Sequence, residues 1–437
     1  MKKLKKLTFA FALSVLALSS YAQLDPNFES IDDVFGVAST NAVQAININY
    51  DNIETQKQLF HIFLPDTEGT FPLVVYIHGG GFTGGNPGSV FVNEGLQKDL
   101  KYFLDNGVAF ASFGYRLISE DEPDAEGVIK SLTDSKRALQ FVRHYAEDLH
   151  IDPENVAVMG SSAGAGTSLW LATRSDMADP NASDPVLRES TRVSAVVARG
   201  SQSTYDIFKW ETDVYDNFDG QGTNFTLDSI AEIMSVERLS NFYGGIDSIY
   251  QIVHDPKLIH YREDVDMLFH LSSDDPPVYI NSQSKAVHPS DDVLHHSLHS
   301  KEIYETAIAA GVSEVKAEIP TQSINTTEGE SANEFLLRYI SSTDPDPDPD
   351  PEEVLGTELT TEAAVYPNPS TEHFFVSLPN EKITKVVLRT LSGSIVSSQV
   401  NLQKDSPVVT SNLPGGVYLV QIEGANGTTS LQRVVVQ

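Results

Sequence analysis

The 437-residue chain contains no cysteine. That absence removes disulfides, thiolate nucleophiles, cysteine-ligated metals and a lipid-modified N-terminal cysteine from consideration. Cations are scarce too: 29 lysines and arginines stand against 61 aspartates and glutamates, a formal net charge of −32. Nucleic acid and anionic membranes are repelled by such a surface, so neither is expected as a partner, and the acidity reads as solubility outside the cell. Beyond residue 22 no apolar run is long enough to span a bilayer. With 40% hydrophobic residues the chain can still bury a substantial core.

What is present begins with "MKKLKKLTFAFALSVLALSSYAQ", a lysine-rich start, an apolar run and small residues before a cut after Ala22. This predicts a signal peptide over residues 1–22 and export of the remainder. Further on, "STDPDPDPDPEE" alternates proline with mutually repelling aspartates, which predicts an extended linker over 342–361. It separates a larger domain, 23–341, from a small domain, 362–437.

In the larger domain "HIFLP", "FPLVVYIHGG", "VAFASFGYRL", "NVAVMGSS", "SAVVARGSQ", "PPVYINSQS" and "VKAEIP" read as strands. Several are apolar throughout, as in a parallel sheet covered on both faces. Helical spacing runs from Val128 to Leu149, and "SKEIYETAIAAG" closes on a glycine stop. The fold class is α/β, a mostly parallel sheet with helices on both faces. Residues from Gln202 to about Leu271, less regular and rich in aromatic and acidic residues, read as an insertion that caps the active site. After the linker, alternating strands with proline and glycine turns, and an "NG" hairpin, predict a small all-β sandwich.

The chemistry concentrates in "NVAVMGSSAGAG". A serine between two glycines, after a strand and before a helix, is the pattern of a nucleophile held on a strained turn, so Ser162 is the candidate nucleophile, with Gly160 and Gly164 making room. Upstream stands "HGGGF", His78 to Phe82, directly after the run "LVVYI". Consecutive glycines let backbone N–H groups approach an oxygen, and acyl transfer needs such donors where the oxyanion forms. Gly80, Gly81 and Ala163 are the candidate donors.

With both motifs in hand, the stretch from about Phe60 to Ile340 resembles the α/β-hydrolases of the HGGG esterase and lipase group. "YRL", Asp134 and "DPENVAVMGSSAG" fit the same family, whereas Ser161 stands where its members usually carry an acid. The layout also resembles feruloyl and acetyl-xylan esterases. That resemblance implies a serine ester hydrolase acting on small-molecule or polysaccharide esters, with no cofactor and no metal. "VYPNPS" with "LPGGVYLVQI" is similar to the C-terminal sorting domain of the type IX secretion system. It implies passage through that machinery to a secreted or surface-held product.

The family also implies an acid in the loop after the seventh strand, where Asp291 and Asp292 lie; the spacing to Gly311 favours Asp292. A histidine is implied after the eighth strand, yet "TQSINTTEGESANEFLLRYI" has none. A serine without an imidazole is a poor nucleophile. The base therefore comes from His288, His295, His296 or His299, of which His296 is the choice here, or the fold is a non-catalytic binding protein. A metal held by these histidines with Asp291 and Asp292 is a weaker reading, because adjacent residues seldom converge on one ion.

Overall fold

The structure is a computed structural model. It describes residues 24–31, 42–51, 57–119, 123–216, 225–246 and 255–341, and the strands between 364 and 436. The expected signal peptide and the Asp/Pro-rich linker lie outside the described residues. Two compact units divide the chain, Met1–Ser342 and Thr343–Gln437.

The first unit is built on a ten-stranded sheet. In chain order its strands are β1 (Glu29–Ile31), β2 (Ala42–Asn49), β3 (Leu59–Pro65), β4 (Phe71–Ile77), β5 (Ala109–Phe113), β6 (Ile151–Ser161), β7 (Val196–Arg199), β8 (Val278–Asn281), β9 (Val315–Ile319) and β10 (Ile324–Asn325). Across the sheet they run β1-β2-β3-β5-β4-β6-β7-β8-β9-β10. The block from β5 to β9 is parallel throughout. The arms at both edges are antiparallel.

The central strands β4 and β5 and the inner stretches of β6, β7 and β8 are almost wholly apolar because both faces of the sheet are covered there. Alternate side chains serve opposite cores. Leu73 and Val75 of β4 pack with Leu132 and Leu139 of α2 (Val128–His144) and Leu169 of α3 (Ala163–Thr173). Val74 instead packs with Leu100 and Phe103 of α1 (Glu94–Asp105) and with Phe335 and Leu336 of the helix Ala332–Ile340. Helix α2 stops earlier than the spacing of apolar residues suggests. Tyr145 is its C-cap, and Leu149 stays buried in the turn that follows. The helix Ser297–Ala310 ends where its glycine requires, with Gly311 left-handed at φ 84°.

The second unit is all β. Strands β11 (Ala364–Tyr366), β12 (His373–Ser377), β13 (Ile383–Thr390), β14 (Ile395–Val400), β15 (Pro407–Val409), β16 (Gly416–Gly424) and β17 (Thr429–Val436) form one three-stranded sheet, β11-β12-β15, and one four-stranded sheet, β14-β13-β16-β17. Phe374, Leu388, Val420 and Ile422 share its core. The Asn426–Gly427 turn lies outside the described residues, and β16 pairs antiparallel with β17 on either side of it. β15 carried too short an apolar signal to stand out in the sequence.

Candidate active site

Strand β6 runs into α3 through a turn that fixes Ser162 in a conformation side chains rarely adopt, φ 53° and ψ −123°. The neighbouring glycines make this possible. A Cβ on Gly160 would collide with the Gly164 carbonyl, and one on Gly164 with the Ile77 carbonyl at the end of β4. Ser162 N–H donates to the Arg199 carbonyl at 3.0 Å, which ties the turn to the adjacent strand.

The glycine loop after β4 meets this turn. A Cβ on Gly79 would lie 2.6 Å from the Ser161 carbonyl oxygen and 3.1 Å from the Ser162 Cβ. Gly80 and Gly81 take positive φ, 116° and 60°, and the Gly80 carbonyl accepts from the N–H groups of Thr83 and Gly84. Ala163 opens α3, so its N–H has no intrahelical acceptor. His78 props the loop from beneath: its ring stacks on Tyr115 with centroids 4.2 Å apart, its Nδ1 donates to the Gly79 carbonyl at 2.8 Å, and Tyr115 Oη donates to the His78 carbonyl. Burial pulls the His78 imidazole down to about 4, so the ring is neutral at neutral pH.

The loop between β8 and the helix Ser297–Ala310 brings His295, not His296, to the serine. Ser162 Oγ lies 2.8 Å from His295 Nε2, and His295 Nδ1 lies 3.0 Å from Asp292 Oδ1. The Asp292 carboxylate accepts a hydrogen bond from His295 Nδ1–H, which keeps the proton on Nδ1 and leaves the Nε2 lone pair facing the serine hydroxyl. Asp292 Oδ1 also accepts the His295 backbone N–H, and Oδ2 accepts from Ser284 Oγ.

His296 is turned the other way. It is the N-cap of the helix, where its Nδ1 accepts the Leu298 N–H at 3.3 Å, and its ring is buried beside Tyr215. The side chains of adjacent residues diverge, so only one of the pair can face Ser162. Which one is decided by the anchors of the loop: Tyr215 Oη donates to the Val293 carbonyl and Gln202 Nε2 to the Leu294 carbonyl, both at 2.7 Å.

The other candidates are held elsewhere. Asp291 accepts the His288 N–H and caps a short 3-10 turn with it. His299 is fully buried; its Nδ1 accepts the Ser203 N–H, so the proton sits on Nε2 and points at the Val293 carbonyl. Gln202 and Tyr215 carry no motif, and their roles could be found only from the fold. The loop after β9, where a histidine is missing, sends Gln322 Nε2 to Ser297 Oγ instead.

Over the serine lies an open pocket of about 380 Å³ with aromatic walls, among them Phe82, Tyr205, Trp210 and Phe242. The helices Leu227–Met234 and Val236–Phe242 bring Met234, Arg238 and Phe242 to it, so part of the 202–271 segment reaches over Ser162.

Residues 60–251 match the BD-FAE family model, and residues 364–437 match the secretion system C-terminal sorting domain. The chain is thus similar to BD-FAE proteins over residues 60–251 and to secretion system C-terminal sorting domains over residues 364–437. The second domain assigns the chain to the cell surface or the outside. Among the described residues no helix is long and apolar enough to cross a membrane. Two curated relatives are similar over part of the chain. Juvenile hormone esterase of Tribolium castaneum is 32% identical over 114 residues, 24% of this chain and 18% of its own. Fumonisin B1 esterase of Sphingopyxis macrogoltabida is 29% identical over 134 residues, 28% and 22% of the two chains. The chain thus spans about a fifth of the length of these relatives. Among solved structures, a truncated carbohydrate esterase from gut microbiota is 16% identical with a TM-score of 0.46, over 63% of this chain and 86% of its own.

Proposed function

We propose that the protein is a secreted serine carboxylic-ester hydrolase whose catalytic triad is Ser162, His295 and Asp292. The observation that carries this reading is the 2.8 Å approach of His295 Nε2 to Ser162 Oγ, with Asp292 on the far ring nitrogen. Ser162 Oγ attacks the ester carbonyl while His295 Nε2 takes its proton. The oxyanion that forms is held by the N–H groups of Gly80, Gly81 and Ala163. His295 then gives the proton to the departing alcohol oxygen, and an acyl-Ser162 remains. Water, deprotonated by the same imidazole, attacks that acyl group and releases the acid. Asp292 keeps the imidazole in the required tautomer and stabilises the imidazolium formed in each half-reaction.

Acetyl or feruloyl esters of polysaccharides are the proposed substrates. The aromatic walls of the pocket suit a small acyl or aryl group, and the export route takes the enzyme to extracellular polymers. The alternative of a non-catalytic binding module was motivated by the absence of a histidine after β9, and His295 answers that absence from another loop. Purified protein is expected to release p-nitrophenol from p-nitrophenyl acetate and to be labelled by a fluorophosphonate, with both lost in Ser162→Ala. Equal background hydrolysis by the two proteins would overturn the proposal.

A further inference from the structure

Resting on that reading, we infer that Arg238 selects esters whose alcohol half carries a carboxylate. Arg238 is the only charged residue among those lining the pocket over Ser162. It stands on the cap helix Val236–Phe242 against the glycine loop, so close that a Cβ on Gly81 would lie 2.5 Å from its Nη2. It also lines an adjoining pocket of about 550 Å³, whose walls include Thr83, Ser119, Ser235, Glu237 and Asn241. The guanidinium thus stands where the two spaces meet, beside the loop proposed to hold the oxyanion.

Its lack of partners is what sets it apart. The other nine arginines between residues 116 and 338 each donate to a carboxylate or a carbonyl. Among the described residues the Arg238 guanidinium has no such acceptor; only its backbone N–H is bonded, to Ser235 Oγ. In a chain with 61 acidic residues, a half-buried guanidinium left open in a pocket is suited to an incoming anion. The fork geometry of arginine matches a carboxylate with two parallel hydrogen bonds.

The two pockets assign the halves of the substrate. The aromatic space over Ser162 suits the acyl group, and the adjoining space, where Thr83, Ser119, Ser235, Asn241 and the Glu237 carboxylate stand beside Ile118 and Phe242, suits a polar alcohol. Arg238 lines both spaces, and the second is the one with room for polar groups, so we place the carboxylate on the alcohol half, as in an ester of a uronic acid unit or of a hydroxybenzoate; Glu237 in the same space repels any further anionic group. A single guanidinium balances a single carboxylate. The net charge of −32 disfavours long polyanions, so the favoured substrate is a small or terminal unit bearing one such group.

Two matched pairs of esters test this in the full-length protein. In the first, meta-acetoxybenzoate is compared with its methyl ester, which differ only in charge on the alcohol half. In the second, mono-para-nitrophenyl adipate is compared with para-nitrophenyl hexanoate, which differ only in charge on the acyl half. The quantity read is the ratio of kcat/KM for the charged ester to that for the neutral one. For wild type the first ratio is expected to exceed that of Arg238→Gln by about ten- to a hundredfold, the weight of a charge-assisted hydrogen bond. Arg238→Lys is expected to recover part of it, and Arg238→Glu to lower it further. An equal loss on both members of the first pair, or no charge preference in wild type, overturns the inference. A response confined to the adipate pair overturns the assignment to the alcohol half. Inactivity of wild type towards all four esters is a different result and counts against the hydrolase reading itself.

Discussion

At the scale of single residues, the site divides by the kind of constraint each member obeys. Ser162 and its glycines are legible in the sequence because their requirement is local: the turn fails if a Cβ appears at Gly160 or Gly164, and a short string records that. Asp292 is reached only through the family resemblance, which implies an acid in the loop before the helix that ends at Gly311, with the spacing to that glycine favouring it over Asp291. The choice between His295 and His296 is not legible, because both positions are three or four residues from Asp292 and the decision lies with Tyr215 and Gln202, far away in the chain. His295→Ala is expected to lower kcat by a factor on the order of a thousand or more, as for loss of a triad member. Asp292→Asn is expected to lower it comparably by fixing the wrong tautomer. His296→Ala is expected to keep turnover within a few-fold and to lower stability by about 1 kcal/mol, the cost of a lost N-cap. Steady-state rates and urea unfolding of the three variants check this. Full activity in His295→Ala would refute the assignment.

Two elements meet at the scale of the backbone: the glycine loop after β4 and the turn after β6. The sequence shows each of them but not how closely they approach. Gly79 is at the contact, and its φ is not positive, so alanine there faces only a steric conflict with the Ser161 carbonyl. Gly79→Ala is expected to separate the proposed oxyanion donors from the serine and lower kcat at least tenfold, with KM changing less. A crystal structure of the variant with wild-type spacing, or an unchanged kcat, would count against this. The same reasoning explains which strands were readable. β4, β5, β7, β8 and the inner part of β6 are buried on both faces and declare themselves by composition, whereas β1 and β2 at the edge mix buried with exposed and half-buried positions and merge with ordinary polar sequence.

At the scale of the whole molecule, stability is expected to depend on three histidines kept neutral by burial. His61 and His78 are lowered to about 4 and His299 to about 3, all from 6.5. As pH falls from 6.5 towards 4 the unfolded chain binds protons that the folded chain refuses, so stability falls, each histidine adding up to about 1.4 kcal/mol per pH unit. Asp275 opposes this, because burial pushes it up to about 6 and its contribution is lost as pH rises through that value. His270 and His296 are also lowered by burial, and Asp206 and Glu302 are raised by it; with these, five histidines stand against three carboxylates, so the urea midpoint is expected to drop between pH 6.5 and pH 4.5, and to drop less in His61→Gln. A midpoint that stays level would contradict this balance. The placement of Asp292 and His295 within one loop has a mechanical side. The two move as one piece, and Ser162 belongs to another, so the assembly has a single joint, between Oγ and Nε2. Across crystal forms or temperatures the Ser162–His295 separation should vary while the His295–Asp292 separation stays constant, and loss of activity on warming should follow the first distance alone.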